Sequence, residues 1–199
     1  MPVTSNIIQR TFHLKYGSNV GSCFIFPRGD LVYLVTAKHL VFPIRSIDSL
    51  EIEHDSGWIE IETNLIGHGK GEEDVSVFSL KEDLRSDLPL EISMAGMTLS
   101  GDVHSLGFPF DMKTTHALNY GYPFPFVNKA SVSAISETRD ILFLDGQNNP
   151  GFSGGPIVLA DKPNQVVGII CSYQLSHENV NSGIVQACPA NVINRILGT

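Results

Sequence analysis

Apolar positions along this chain fall into short runs separated by glycine, proline and charged residues. Runs of that length, rich in Val, Ile, Phe and Tyr, predict strands. Residues 7–15 alternate loosely and predict a first strand. Residues 20–27 and 31–36 predict a hairpin turning at Pro27-Arg28-Gly29-Asp30. Residues 49–54 and 58–64 predict another around Asp55-Ser56-Gly57. Gly67-His68-Gly69-Lys70-Gly71 reads as a flexible loop, and residues 75–80 as the strand that closes the first half. The charged, polar stretch 81–89 reads as a linker able to hold a helical turn. Beyond it, residues 102–106, 130–136, 140–144, 155–159, 166–173 and 183–188 read as strands. Residues 112–128, with Tyr120-Gly121-Tyr122-Pro123-Phe124-Pro125-Phe126, read as a long, stiff packing loop. Only residues 189–197 carry helical spacing, through Val192, Ile193, Ile196 and Leu197, with Gly198 to stop the helix. Many short strands and one terminal helix predict an all-β chain; the pattern by itself leaves sandwich and barrel open.

One stretch fits neither strand nor helix. Asn149-Pro150-Gly151-Phe152-Ser153-Gly154-Gly155-Pro156 sets a serine among three glycines and two prolines. Glycine costs backbone entropy in regular structure and proline lacks a donor, so this is a tight, pre-shaped loop. Such a loop can turn successive N–H groups toward one spot, as an oxyanion hole requires. Ser153 is the candidate nucleophile, and the amides of Gly151 and Ser153 are the candidate donors. A serine hydroxyl needs a base, and the base needs an orienting group. His39 lies just past the predicted strand 31–36, in Thr36-Ala37-Lys38-His39. Asp74 immediately precedes residues 75–80. Glu72, Glu73 and Asp83 compete with it, but an aspartate leading into an apolar strand favours Asp74. The order His, Asp, Ser is that of the chymotrypsin-type triad.

Bulk properties narrow the classes. A net charge of −8 argues against a nucleic-acid surface. Hydrophobic residues make up 42% of the chain and charged ones 17%, which fits a sizeable core and no disorder. No apolar run is long enough to cross a membrane. The N-terminal residues lack a basic start and an apolar core, so no secretory signal is expected and a cytoplasmic location is predicted. Three cysteines, a low and odd count, suit a reducing compartment. Cys23 reads as a buried, inert thiol. Cys171 and Cys188 lie on strands that can be neighbours, and free thiols are favoured over a disulfide. His13, His54, His68, His104, His116 and His177 show no metal-ligand spacing and read as surface or turn residues. Neither metal nor cofactor is expected.

Four motifs now carry a resemblance. Gly21-Ser22-Cys23-Phe24-Ile25, Thr36-Ala37-Lys38-His39, Leu106-Gly107-Phe108-Pro109-Phe110 and the segment from Asp145 to Pro156 stand in register with motifs of one family. The chain resembles the trypsin-like serine peptidases, and particularly their bacterial HtrA-like branch, from about residue 20 to residue 196. The resemblance implies two six-stranded antiparallel β-barrels and a short C-terminal helix. Residues 1–88 would carry His39 and Asp74, and residues 89–199 Ser153. It implies a protein or peptide substrate, cut through a Ser153–His39–Asp74 triad. It places a substrate pocket near Gln147, Asn148, Cys171, Ser172, Tyr173 and Gly183. Gln147 falls where basic-specific members carry Asp, so an uncharged side chain is the expected preference. Phe152 stands where digestive members carry an Asp that pairs with a cleaved N-terminus. Activation by such cleavage is therefore not expected, and a resting loop that is not formed stays open. No PDZ-like segment follows in these residues, and the resemblance implies a separate sensor or activator protein as a partner. Two other classes stay open: a silent peptide-binding module of the same fold, and an ester-cleaving acyl hydrolase.

Overall fold

The protein is described here from a computed structural model covering residues 2–81, 84, 89–112, 114, 115, 117, 119–138, 140–175 and 181–199. A one-turn helix, α1 (Ser5–Ile8), leads into β1 (Thr11–Tyr16), β2 (Asn19–Arg28) and β3 (Leu31–Thr36). Another single turn, α2 (Lys38–Val41), precedes β4 (Ile47–His54), β5 (Gly57–His68) and β6 (Ser76–Leu80). These six strands close into an antiparallel barrel in the order β1-β2-β3-β6-β5-β4. After the short β7 (Glu91–Ile92) come β8 (Asp102–Gly107), β9 (Phe126–Ile135), β10 (Leu142–Asp145), β11 (Pro156–Leu159), β12 (Gln165–Leu175) and β13 (Asn181–Pro189). The order β11-β8-β9-β10-β13-β12 closes through a β11–β12 pairing into a second six-stranded barrel, and β7 adds beside β12 in parallel. The helix α3 (Ala190–Ile196) follows, and Gly198 ends it at φ 75°. Closing both sheets removes exposed strand edges. The chymotrypsin-like fold expected from the motifs is the fold observed.

The apolar runs are continuous because the key strands are buried on both faces. Successive side chains of a strand point to opposite faces. In β2, Cys23 and Ile25 face the interior of the first barrel, while Phe24 and Phe26 face outward. Those phenyl rings enter a third core shared by the two barrels, with Val35, Val77, Leu106, Val158, Ile169 and Cys188. Ile7 of α1 and Val192 and Ile193 of α3 complete it. Both chain ends thus pack where the barrels meet. Full burial of one such side chain stabilises by about 1.5–3 kcal/mol.

Several boundaries differ from the sequence-based ones. Residues 7 and 8 belong to α1 rather than to the first strand. Gly67 and His68 continue β5 instead of opening a loop. Phe126, Val127 and Asn128 already belong to β9, so the aromatic loop is shorter than its composition indicated. Its Tyr122 stacks edge-on against Phe12 and His54, and Gly121 O accepts from Asp55 N at 2.7 Å. The loop from the second barrel is therefore docked on the β4–β5 hairpin of the first. Most of the expected linker, residues 82, 83 and 85–88, lies outside the described residues, as do His116 and His177. His13 and His68 are not surface residues. His13 is buried against Glu53 on the outer face of the first barrel, since Phe12 and Leu14 take the inner face, and His68 is partly buried, held by Ser76 Oγ and Ile44 O.

The shared core supports a stability prediction. Ile169→Ala leaves a cavity between the barrels and lowers unfolding free energy by about 3 kcal/mol in urea denaturation. A loss below about 1 kcal/mol would show that the barrels do not depend on this contact.

Candidate active site

The site is built where strand ends of one barrel meet a loop of the other. β3 ends at Thr36, whose Oγ1 donates to Ser22 O at 2.8 Å. The single turn α2 then projects His39 at the rim. Asp74 arrives just before β6. Its carboxylate accepts twice from the same residue: Oδ1 from His39 N–H at 2.8 Å, and Oδ2 in a 2.6 Å bond with Nδ1. The His39 side chain is 48% exposed and that of Asp74 is 22% exposed, so the pair opens to solvent at its ring end.

The neighbouring acids have separate duties. Glu73 is buried, caps the turn through Lys70 N–H, and pairs with Arg195 of α3. Glu72 lines a different cavity, which Asp74 also borders. Asp83 is outside the described residues. Lys38 Nζ holds the approach to Asp74 by donating to Gly69 O and Gly71 O, both at 3.1 Å.

Ser153 sits on the loop between β10 and β11. Phe152 N–H reaches Asn149 O at 3.2 Å, closing a turn over Pro150 and Gly151. Gly151 has φ 100°, which favours glycine, and a Cβ there would lie 2.0 Å from Phe108 O. Pro150 O accepts from Phe110 N–H at 2.9 Å. A planar trans peptide sends its N–H the opposite way from its C=O, so the Gly151 amide points away from Phe110. Phe152, Gly154 and Gly155 all donate to backbone carbonyls. Among the described residues, the amides of Gly151 and Ser153 have no protein acceptor. The loop is therefore formed, with two unspent donors flanking the serine. Phe152 supplies the anchorage: its ring is buried in the second-barrel core with Ile157, Val167 and Ile170.

One cavity of about 470 Å³ is lined by His39, Gly151, Ser153, Cys171, Ser172 and Tyr173, with Val20, Leu40 and Pro150 giving it apolar walls. The profile of the trypsin-like peptidase domain family matches residues 21–169, spanning His39, Asp74 and Ser153. The chain belongs to the trypsin-like peptidase family. No curated protein matches it. Among solved structures, it is similar to a serine endoprotease from Yersinia pestis (21% identity, TM-score 0.70), covering 100% of this chain and 66% of that one. It is likewise similar to the HtrA-type protease AlgW, described with a tripeptide (22% identity, TM-score 0.69), covering 98% of this chain and 60% of that one. This peptidase-like chain thus spans about two thirds or less of those proteins.

Only part of the expected substrate pocket faces the cavity. Cys171, Ser172 and Tyr173 line it. Gln147, Asn148 and Gly183 instead tie the loop to β9 and β13. Gln147 O accepts from Asn128 Nδ2 at 3.0 Å, Asn148 O from Asn181 Nδ2 at 2.6 Å, and Gly183 O from Gly146 N–H at 2.9 Å. Ser22 is the residue that sequence reasoning passed over. Its N–H donates to Ser153 O at 2.8 Å, and its Oγ to Gly151 O at 2.7 Å. The only sequence signal was its place in the Gly21-Ser22 motif. Among the described residues, no group of three His, Cys, Asp or Glu side chains converges as a metal site.

Cys23, Cys171 and Cys188 are buried free thiols. Burial pushes the Cys23 thiol far up. The Cys171 thiol is also raised, first by its hydrogen bond with Cys188 and then by burial. Raised thiols hold little thiolate near neutral pH, and thiolate is the reactive form. Iodoacetamide is therefore expected to leave the folded protein unmodified near neutral pH and to add three adducts after unfolding, by intact mass. Rapid labelling of the folded chain would contradict this burial.

Proposed function

We propose that the chain is a serine endopeptidase, with residues 1–88 supplying His39 and Asp74 and residues 89–199 supplying Ser153. The observation that carries the reading is His39, held by Asp74 through two hydrogen bonds and lining one cavity with Ser153. Asp74 accepts from Nδ1–H, which leaves Nε2 as the base. His39 takes the Ser153 proton as the oxygen attacks a peptide carbonyl. The developing oxyanion is received by the amides of Gly151 and Ser153, each contributing about 3 kcal/mol to the transition state. His39 then protonates the leaving amine, and water releases the acyl group by the reverse sequence. None of these steps needs a metal or cofactor. A cytoplasmic peptidase of bacterial type, acting on proteins or peptides, is the setting this reading implies.

The Ser153 hydroxyl donates to Cys171 O at 3.1 Å. Rotation about χ1 must turn it toward His39 before attack. That parked hydroxyl is also the one observation favouring a second reading, a module that holds peptide without cutting it.

A fluorophosphonate probe read by intact mass separates the two. The parent is expected to gain a single adduct and Ser153→Ala none. Asp74→Asn is expected to slow labelling and peptide turnover by on the order of 10³–10⁴-fold. A folded parent that gains no adduct would exclude the peptidase reading and leave the binding module.

A further inference from the structure

Behind the nucleophile loop lies a buried histidine that the mechanism above does not use. His13, on β1, is 1% exposed. Its Nδ1 meets Glu53 Oε2 at 2.6 Å, and Glu53 is itself buried. Its Nε2 is buried without a hydrogen bond and faces Asp111 Oδ1 at 3.5 Å. Each ring nitrogen thus faces a carboxylate. The ring stacks on Phe108, with centroids 4.9 Å apart and planes 25° apart, while Trp58 flanks it at 5.0 Å. Burying an imidazole and a carboxylate is costly unless they are paired, as Nδ1 and Oε2 are here.

What they hold is the turn beside the oxyanion loop. Phe108 leads into the 3₁₀ turn Pro109–Asp111. Phe110 (φ 52°) and Asp111 (φ 55°) are consecutive left-handed residues, neither of them glycine. Such a conformation costs free energy and persists only where its surroundings impose it. The turn contacts the nucleophile loop twice. Phe110 N–H donates to Pro150 O at 2.9 Å, and Phe108 O occupies the space a Gly151 side chain would need. Ser22, the direct cross-strand partner of His13, adds a second leg: its Oγ accepts from Phe108 N–H at 3.2 Å and donates to Gly151 O at 2.7 Å. A chain of contacts therefore runs from Glu53 through His13 to Asp111 and Phe108, and on to the Pro150–Gly151 peptide.

We propose that His13 is a positioning residue: with Glu53 and Asp111 it locks the left-handed turn 108–111, which sets the orientation of the Gly151 amide. This rests on the peptidase reading for its catalytic consequence, but not for the lock itself. An oxyanion donor acts in the transition state, so loosening the lock lowers kcat and leaves KM nearly unchanged.

The test uses Asp111→Ala and His13→Phe, which keeps the ring stack but loses both polar contacts. Three readings are taken: kcat and KM on a peptide, the rate of fluorophosphonate labelling, and the ¹⁵N–¹H signal of the Gly151 amide. Both variants are expected to lower kcat and labelling rate about ten-fold, with KM within about two-fold. Both are expected to shift or broaden the Gly151 signal. Asp111→Asn, which keeps a polar group toward Nε2 and tolerates positive φ, is expected to recover most of the rate. If His13→Phe does not fold, Asp111→Ala decides alone, since the Asp111 side chain is 66% exposed. Parent-like rates and an unmoved Gly151 signal in Asp111→Ala would overturn the proposal. A parent that is never labelled, but whose Gly151 signal moves in Asp111→Ala, would sink the peptidase reading and uphold the lock.

Discussion

The backbone bond from Ser22 N–H to Ser153 O crosses from one barrel to the other, and the site depends on it. It fixes the serine loop against the strand next to β3, the strand that delivers His39. A mutual shift of even 1 Å between the two barrels would separate groups that belong within hydrogen-bond reach. The shared core prevents that shift. Phe24 and Phe26 leave the first barrel and pack against Leu106, Val158 and Ile169 of the second. Close-packed interiors resist deformation, so the interface behaves as one body. Gly154 shows how tight the junction is: a Cβ there would lie 2.1 Å from Ser22 O.

Polar contacts refine what packing sets. Asp74 is held by the His39 backbone as well as by its ring, and the Glu73–Arg195 pair ties the preceding residue to α3. The terminal helix thus acts at a distance on the acid that orients His39. Lys38 gathers the loop at Gly69 and Gly71 from the opposite side. A surface ion pair adds little stability, but the Glu73 partner is buried, where a carboxylate left alone is costly.

Strand positions were legible because both faces of β2 and β12 are buried, which writes them as unbroken apolar runs. Strand ends were less so: β5 and β9 extend through glycine-bearing and aromatic segments that local propensity assigns to loops. Ser153, His39 and Asp74 could be singled out as candidates because nucleophile chemistry demands rare local sequence around a serine and fixed chain order around its partners. The support beneath them was not visible. Ser22, His13, Glu53 and Asp111 come together only through barrel closure, and no spacing along the chain links residue 13 to residue 111. The expected pocket residues are split for the same reason. Cys171, Ser172 and Tyr173 are on the strand that borders the cavity, whereas Gln147, Asn148 and Gly183 are spent on tying loops.

The Phe152 ring anchors the Ser153 loop by burial. A carboxylate at that position could be released by acid, salt or the loss of a cationic partner. A phenyl ring answers to none of these. Its hold has instead the temperature dependence of apolar hydration, weakening toward the cold and strengthening as the solution warms from there. The part of the loop's hold that Phe152 supplies is thus set by packing rather than by charge, while the hydrogen bonds from Ser22 and Phe110 act on the Pro150–Gly151 side.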